Sequence, residues 1–102
     1  MDIDTIKQKL RNNQFRLSQH AETEKQKDKI TYAEIDEAFK NIELIENYPD
    51  DPRGHSCLLL GFTSEGNPLH FVCGNLDKEK ILFITMYRPT PEEWVNFRKR
   101  RR

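Results

Sequence analysis

Two apolar runs in the second half of the chain, residues 68–73 and 80–88, alternate large aliphatic and aromatic side chains over a strand's length and read as paired β-strands. Joined by a tight turn at Asp77 and Lys78, they place Leu69, Phe71 and Cys73 opposite Met86, Ile84 and Leu82 on one apolar face. His70 then opposes Thr85 on the other face, and Tyr87 projects from that same side. The pattern asks for a sheet with one oily face and an imidazole, a hydroxyl and a phenol gathered at one end of the other.

The rest of the chain supplies what such a sheet needs. Residues 56–63 read as a further strand, turned at Glu65, Gly66 and Asn67 so that Leu58, Leu60 and Phe62 share the face of Leu69 and Phe71. That register sets Gly61 beside His70, where the missing side chain leaves room for a ligand. Ile42, Leu44 and Tyr48 mark the first strand, which stops at Pro49 before a loop over residues 49–54. Upstream, Ile3, Ile6 and Leu10 form one stripe of a helix over residues 2–11, broken at Asn12 and Asn13. Phe15 and Leu17 anchor an extended connector. Ser18 caps a second helix reaching about residue 29, and Thr31 with Glu34 forms the capping box of a third that ends near Asn41. Thr90 with Glu93 repeats the capping box, and Pro91 suits a first helical position, so Trp94 and Phe97 are expected to dock a short terminal helix. The expected fold is α+β: three helices, a four-stranded antiparallel meander and a C-terminal helix, with one sheet face left open. Residues 1–102 form one domain in this reading, and residues 98–102 a flexible basic tail.

Charge narrows the partners. The 17 basic and 17 acidic residues cancel, so no global field draws nucleic acid or an anionic membrane. Residues 88–102, with six basic and two acidic side chains, are the exception, so any attraction for phosphate is local. Cys57 and Cys73 lack a metal-binding cadence, even when His20, His55 and His70 are added, and read as small core residues. No metal and no cofactor are expected. The absence of an apolar leader, and of any run near the roughly twenty apolar residues that span a bilayer, points to the cytoplasm and away from membranes.

Several side chains carry chemistry. His20, in the first turn of the second helix, meets the positive end of the helix dipole, which favours a neutral, proton-accepting imidazole; packing against a strand is the structural alternative. His70 must find a partner or solvent on the open face, with Thr85 as its cross-strand neighbour. Tyr87 can donate a proton or orient a phosphate. Arg53 and Arg88 can each hold a phosphate through paired N–H donors or serve as surface charges, and His55 in its loop can reach the same cleft.

Six separated blocks then line up: Ser18-Gln19-His20-Ala21, Lys29-Ile30-Thr31, Tyr48-Pro49-Asp50, the strand around Gly61, Pro68-Leu69-His70 and Ile84-Thr85-Met86-Tyr87. Together, over residues 15–94, they resemble the bacterial domain-of-unknown-function 4258 family. The resemblance implies kinship with the RelE and MqsR ribonuclease toxins, RNA as substrate and a zinc-finger antitoxin of the MqsA type as partner. It singles out His20, His70, Thr85 and Tyr87. It also implies arginines in the second helix where this chain has Glu24 and Asp28, with Lys25, Lys27 and Lys29 nearby.

The expectation is therefore a cytoplasmic toxin-type endoribonuclease that works without metal on the open sheet face. His20 or His70 takes the RNA 2′-hydroxyl proton, the other histidine or Tyr87 assists the leaving 5′-oxygen, and Arg88 or Arg53 stabilises the phosphorane. The alternative expectation is a non-catalytic protein-binding module on the same face, favoured by the neutral charge and by Glu24 and Asp28.

Overall fold

Local signals start the helices. Ser18 accepts the Ala21 N–H at 3.0 Å through its Oγ and opens a helix, and Thr31 with Glu34 closes a full capping box. In the computed structural model, which describes residues 3–76 and 78–101, the elements run α1 (Ile3–Arg11), β1 (Phe15–Leu17), α2 (Gln19–Lys27) and α3 (Tyr32–Phe39). Strands β2 (Glu43–Tyr48), β3 (Ser56–Phe62), β4 (Pro68–Gly74) and β5 (Ile81–Tyr87) follow, and β6 (Trp94–Val95) with β7 (Lys99–Arg100) ends the chain. Asp2, Asp77 and Arg102, assigned above to the first helix, the hairpin turn and the tail, lie outside the described residues.

The four-stranded meander with a C-terminal helix is not what forms. The sheet has five strands in the order β1-β5-β4-β3-β2, and its β1–β5 pair is parallel. Residues 15–17, expected only as a connector, dock alongside β5 and carry Phe15 into a cluster with Phe39, Phe71 and Phe83, whose ring centroids are 5.3–5.6 Å apart. Three residues carry too little periodicity to reveal a partner so distant in sequence.

The terminal helix is replaced by the β6–β7 hairpin. One turn does form, with Glu93 and Trp94 N–H both donating to the Thr90 carbonyl at 3.1 Å, and then the chain reverses through Asn96 and Phe97, both at positive φ. A helix would have stacked five consecutive cations within reach of one another. The hairpin instead sends Arg98 to Glu43 and Arg100 to Glu46, while Trp94 and Phe97 turn onto the sheet.

Strand register differs from the expected one as well. Leu60 opposes His70 and Gly61 opposes Leu69, one residue away from the expected pairing, and a one-residue slip exchanges faces. Between β4 and β5 the pairing also starts one residue off, with Cys73 opposite Phe83, and a bulge at Ile84 adds a second residue, so that His70 opposes Tyr87 and Thr85 opposes Val72. The helix-covered core therefore holds Cys57, Leu59, Leu69, Phe71, Cys73, Ile81, Phe83 and Met86 under Ile6, Ala21, Ile35 and Ala38. Each large side chain buried there contributes about 1.5–3 kcal/mol. Cys57 and Cys73 face each other across β3 and β4 as buried free thiols.

Gly61 makes no ligand space. It lets α3 lie against β3, since a Cβ there would sit 2.5 Å from the Ala38 carbonyl oxygen. Gly61→Ala is expected to cost about 1–3 kcal/mol because helix backbone has to move. A urea midpoint unchanged from the parent would contradict that close approach.

Candidate functional site

The second sheet face is half covered, and the cover creates its chemistry. Leu58 and Leu60 alternate outward from the main core yet stay buried, and at this end of the sheet Phe97 and Trp94 of the hairpin fold onto Phe62 and His70. His70 lies beneath them, 0% exposed, its ring edge-on to Trp94 at 4.5 Å and to Tyr87 at 5.2 Å.

Both ring nitrogens of His70 are engaged. Nε2 is 2.8 Å from the Phe97 carbonyl oxygen, and Nδ1 is 3.1 Å from Tyr87 Oη. A carbonyl only accepts, so Nε2 carries the proton, Nδ1 is bare, and the Tyr87 hydroxyl donates to it. Burial holds His70 below its ordinary pKa against the opposing pull of Phe97 and Glu46, which keeps the ring neutral. Burial likewise pushes the Tyr87 phenol up to about 12. The phenol thus points its proton inward and turns a lone pair outward.

A charged layer brackets this pair. Arg100 bonds Glu46 at 2.9 and 3.1 Å and lies over the Trp94 ring, and Tyr48 also donates to Glu46. Burial raises the Glu46 carboxyl, but the Arg100 and Tyr48 hydrogen bonds outweigh it and leave the pKa low. Trp94, Phe97, Arg100, Glu46 and Tyr48 were missed as site residues. The run of Trp94 and Phe97 into the consecutive basic residues Arg98, Lys99 and Arg100 was the signal that could have found the hairpin members of this set.

The other candidates have separate placements. His20 is exposed on α2 without a hydrogen bond or ion pair to a described residue. It is nonetheless held close to β5: Ser18 donates from N–H to Phe83 O at 3.0 Å and from Oγ to Ile84 O at 2.8 Å, which anchors the first turn of α2 one residue from Thr85. No hydrogen bond or ring contact joins His20 to His70. Thr85 is half-buried opposite Val72.

Arg88 has no free donor pair for phosphate. Nε donates to Asp28 O at 3.0 Å, Nη2 to Lys29 O at 3.0 Å, and the two Nη groups grip Glu34 at 2.9 and 3.1 Å. The guanidinium caps the C-terminal carbonyls of α2 and ties them to α3. Asp28, out of pattern in the resemblance, takes the Arg88 backbone N–H at 3.1 Å. Arg53 is paired with Asp51, whose carboxyl it holds well below the usual range, and His55 Nε2 sits 2.6 Å from Asn47 Oδ1. Arg53 also rims a groove of about 210 Å³ floored by Gly74, Leu82 and Ile84 on the uncovered part of this face.

Among the described residues no group of three or more His, Cys, Asp or Glu is gathered for a metal, and no helix is long and apolar enough to cross a membrane.

With this geometry in view, a family model described as a domain of unknown function, DUF4258, matches residues 17–88. The chain belongs to the DUF4258 family. No curated protein and no solved structure matches. The DUF4258 stretch holds Ser18, His20, His70, Thr85, Tyr87 and Arg88, whereas the hairpin that closes over His70 lies beyond it.

Acid should weaken this DUF4258 chain in two stages. His70 is depressed from 6.5, so below that pH the unfolded chain binds more protons and stability falls. Glu34, lowered from 4.5 chiefly by the Arg88 hydrogen bonds against the cost of burial, adds its loss as pH drops below 4.5. Unfolding free energy measured from pH 7.5 to pH 3.5 should decline throughout, and a rise between 6.5 and 5.5 would contradict a buried neutral His70.

Proposed function

We propose that the protein is a toxin-type endoribonuclease that cleaves RNA without metal at the Tyr87 edge of the sheet, in the cytoplasm, with a zinc-finger antitoxin of the MqsA type as its inhibitor. The observation that carries this is the Tyr87–His70 pair, a phenol whose proton is already directed at a bare imidazole nitrogen. In this mechanism Tyr87 Oη takes the RNA 2′-hydroxyl proton as its own proton passes to His70 Nδ1. The 2′-oxygen attacks the adjacent phosphorus, the P–O5′ bond breaks, and the leaving 5′-oxygen takes a proton from solvent relayed through the exposed His20 imidazole. The products are a 2′,3′-cyclic phosphate and a 5′-hydroxyl. Glu46 faces the imidazolium that forms on His70.

Arg88 and Arg53 are spoken for by Glu34 and Asp51, so neither is assigned to the phosphorane. The backbone N–H groups of Gln19 and His20, which have no acceptor within α2, take that role beside Thr85. A second reading, a non-catalytic protein-binding module on the same face, draws support from one observation. Arg53, Arg88, Arg98 and Arg100 are each already paired with a carboxylate, which leaves RNA phosphates little to hold.

Incubation of the purified chain with several single-stranded RNAs in the presence of a chelator tests the proposal. Cleavage to cyclic-phosphate ends is expected, and Tyr87→Phe should slow it by about 10²–10⁴-fold with the fold intact. No cleavage of any RNA, together with no growth arrest on induction in bacteria, would leave only the binding module.

A further inference from the structure

We propose that the groove between α1 and α3 is a docking site for an acidic, amphipathic helix of a partner protein. It encloses about 520 Å³ and is lined by Lys7, Leu10 and Arg11 from the first helix and by Asp36, Phe39 and Lys40 from the third and its cap. Leu10 is 5% exposed, and Phe39 is part of the aromatic cluster over β4 and β5. The floor is therefore an outcrop of the core and cannot withdraw from water by a side-chain swing.

The rim carries three positive charges and one negative. Among the described residues no side chain of Lys7, Arg11, Asp36 or Lys40 makes an ion pair or a hydrogen bond. The arginines of the sheet and hairpin described above are by contrast tied to carboxylates. Lys7 and Arg11 stand four residues apart on α1, a like-charge spacing that costs a helix a few tenths of a kcal/mol when unopposed.

Carboxylates one turn apart on an incoming helix would relieve that repulsion. An apolar stripe between them would cover Leu10 and Phe39, the arrangement of an amphipathic helix in a groove. Lys40 on the opposite wall fixes the other flank of the same helix. This surface is distinct from the Tyr87 edge and stands whether or not the chain cleaves RNA.

The test uses the full chain and a labelled helical peptide of about 15 residues, with glutamates at i and i+4 flanking a leucine stripe. Fluorescence anisotropy should show saturable binding that weakens with added salt. Combined Lys7→Glu, Arg11→Glu and Lys40→Glu changes should weaken it by about tenfold or more, and Asp36→Asn should tighten it. Replacing the leucines by serine should abolish it. If the triple variant does not fold, the exposed Arg11→Glu and Lys40→Glu single variants carry the comparison. Equal binding by the charge-reversed chain, or by a peptide with lysine in place of glutamate, overturns the proposal. So does binding to anionic lipid vesicles without binding to the peptide, or self-association that the charge reversals abolish and the peptide does not compete with. RNA cleavage measured on the same variants should stay unchanged, so failure of the nuclease reading and failure of the docking site are separable.

Discussion

Replacing His70 with alanine is expected to destabilise the protein by about 3–4 kcal/mol, a large share of the 5–15 kcal/mol typical of a domain. Two losses combine. The Tyr87 hydroxyl and the Phe97 carbonyl each lose a buried partner, worth about 1–3 kcal/mol where no water replaces it, and a ring-sized void opens under Trp94. The single tryptophan of the chain reports the transition directly, since Trp94 packs on the very ring removed. His70→Gln can still donate toward Phe97 and should recover part of the loss. A drop below about 1 kcal/mol for His70→Ala in urea unfolding would mean that the hairpin does not depend on this residue.

Arg88→Ala should cost about 2–4 kcal/mol, because the side chain donates to two backbone carbonyls and one carboxylate at the junction of α2, α3 and β5. Lys29 is held there at positive φ, so the junction has little conformational slack. Arg88→Lys retains charge but not the planar fork and should restore less than half. The Glu34 carboxyl, followed by NMR titration, should move back up toward 4.5 in the alanine variant. Full stability in Arg88→Lys, or an unmoved Glu34, would show that the clamp is an incidental surface pair.

Much of the helical half was legible because its signals are local. Ser18, Thr31 and Glu34 act on backbone groups within one turn, and the caps form where those residues stand. The sheet was harder because its decisive choices are not local. A slip of one residue between β3 and β4 moved Gly61 to the helical face, and a second slip between β4 and β5 together with the bulge at Ile84 made Tyr87, not Thr85, the partner of His70. Neither is written in composition or alternation, since residues 57–60 are apolar on both faces. The C-terminal capping box misled for a physical reason. Thr90 and Glu93 do make one turn, but the carboxylates that receive Arg98 and Arg100 lie on β2, more than fifty residues away.

Among the candidate residues, sequence located the side chains but not their commitments. His70 and Tyr87 share a face and meet, whereas the hairpin that seals them was read as a helix. Arg88 looked available because its acceptors, Glu34 and the end of α2, stand more than fifty residues away in sequence. Such pairings are fixed by tertiary geometry, so residue type alone marks them only as capable of binding an anion.

The tautomer and charge of the His70 ring decide whether the hairpin seals a neutral imidazole that accepts from Tyr87. Two-bond ¹H–¹⁵N correlation NMR on the folded chain at pH 6.5, with His70→Gln used to assign the signals, distinguishes the tautomers of the three histidines. A neutral His70 protonated at Nε2, persisting below its ordinary pKa of 6.5, is the result expected from donation to Phe97 and acceptance from Tyr87. A ring protonated at Nδ1, or one already cationic at that pH, would contradict it and remove the proton path proposed for catalysis.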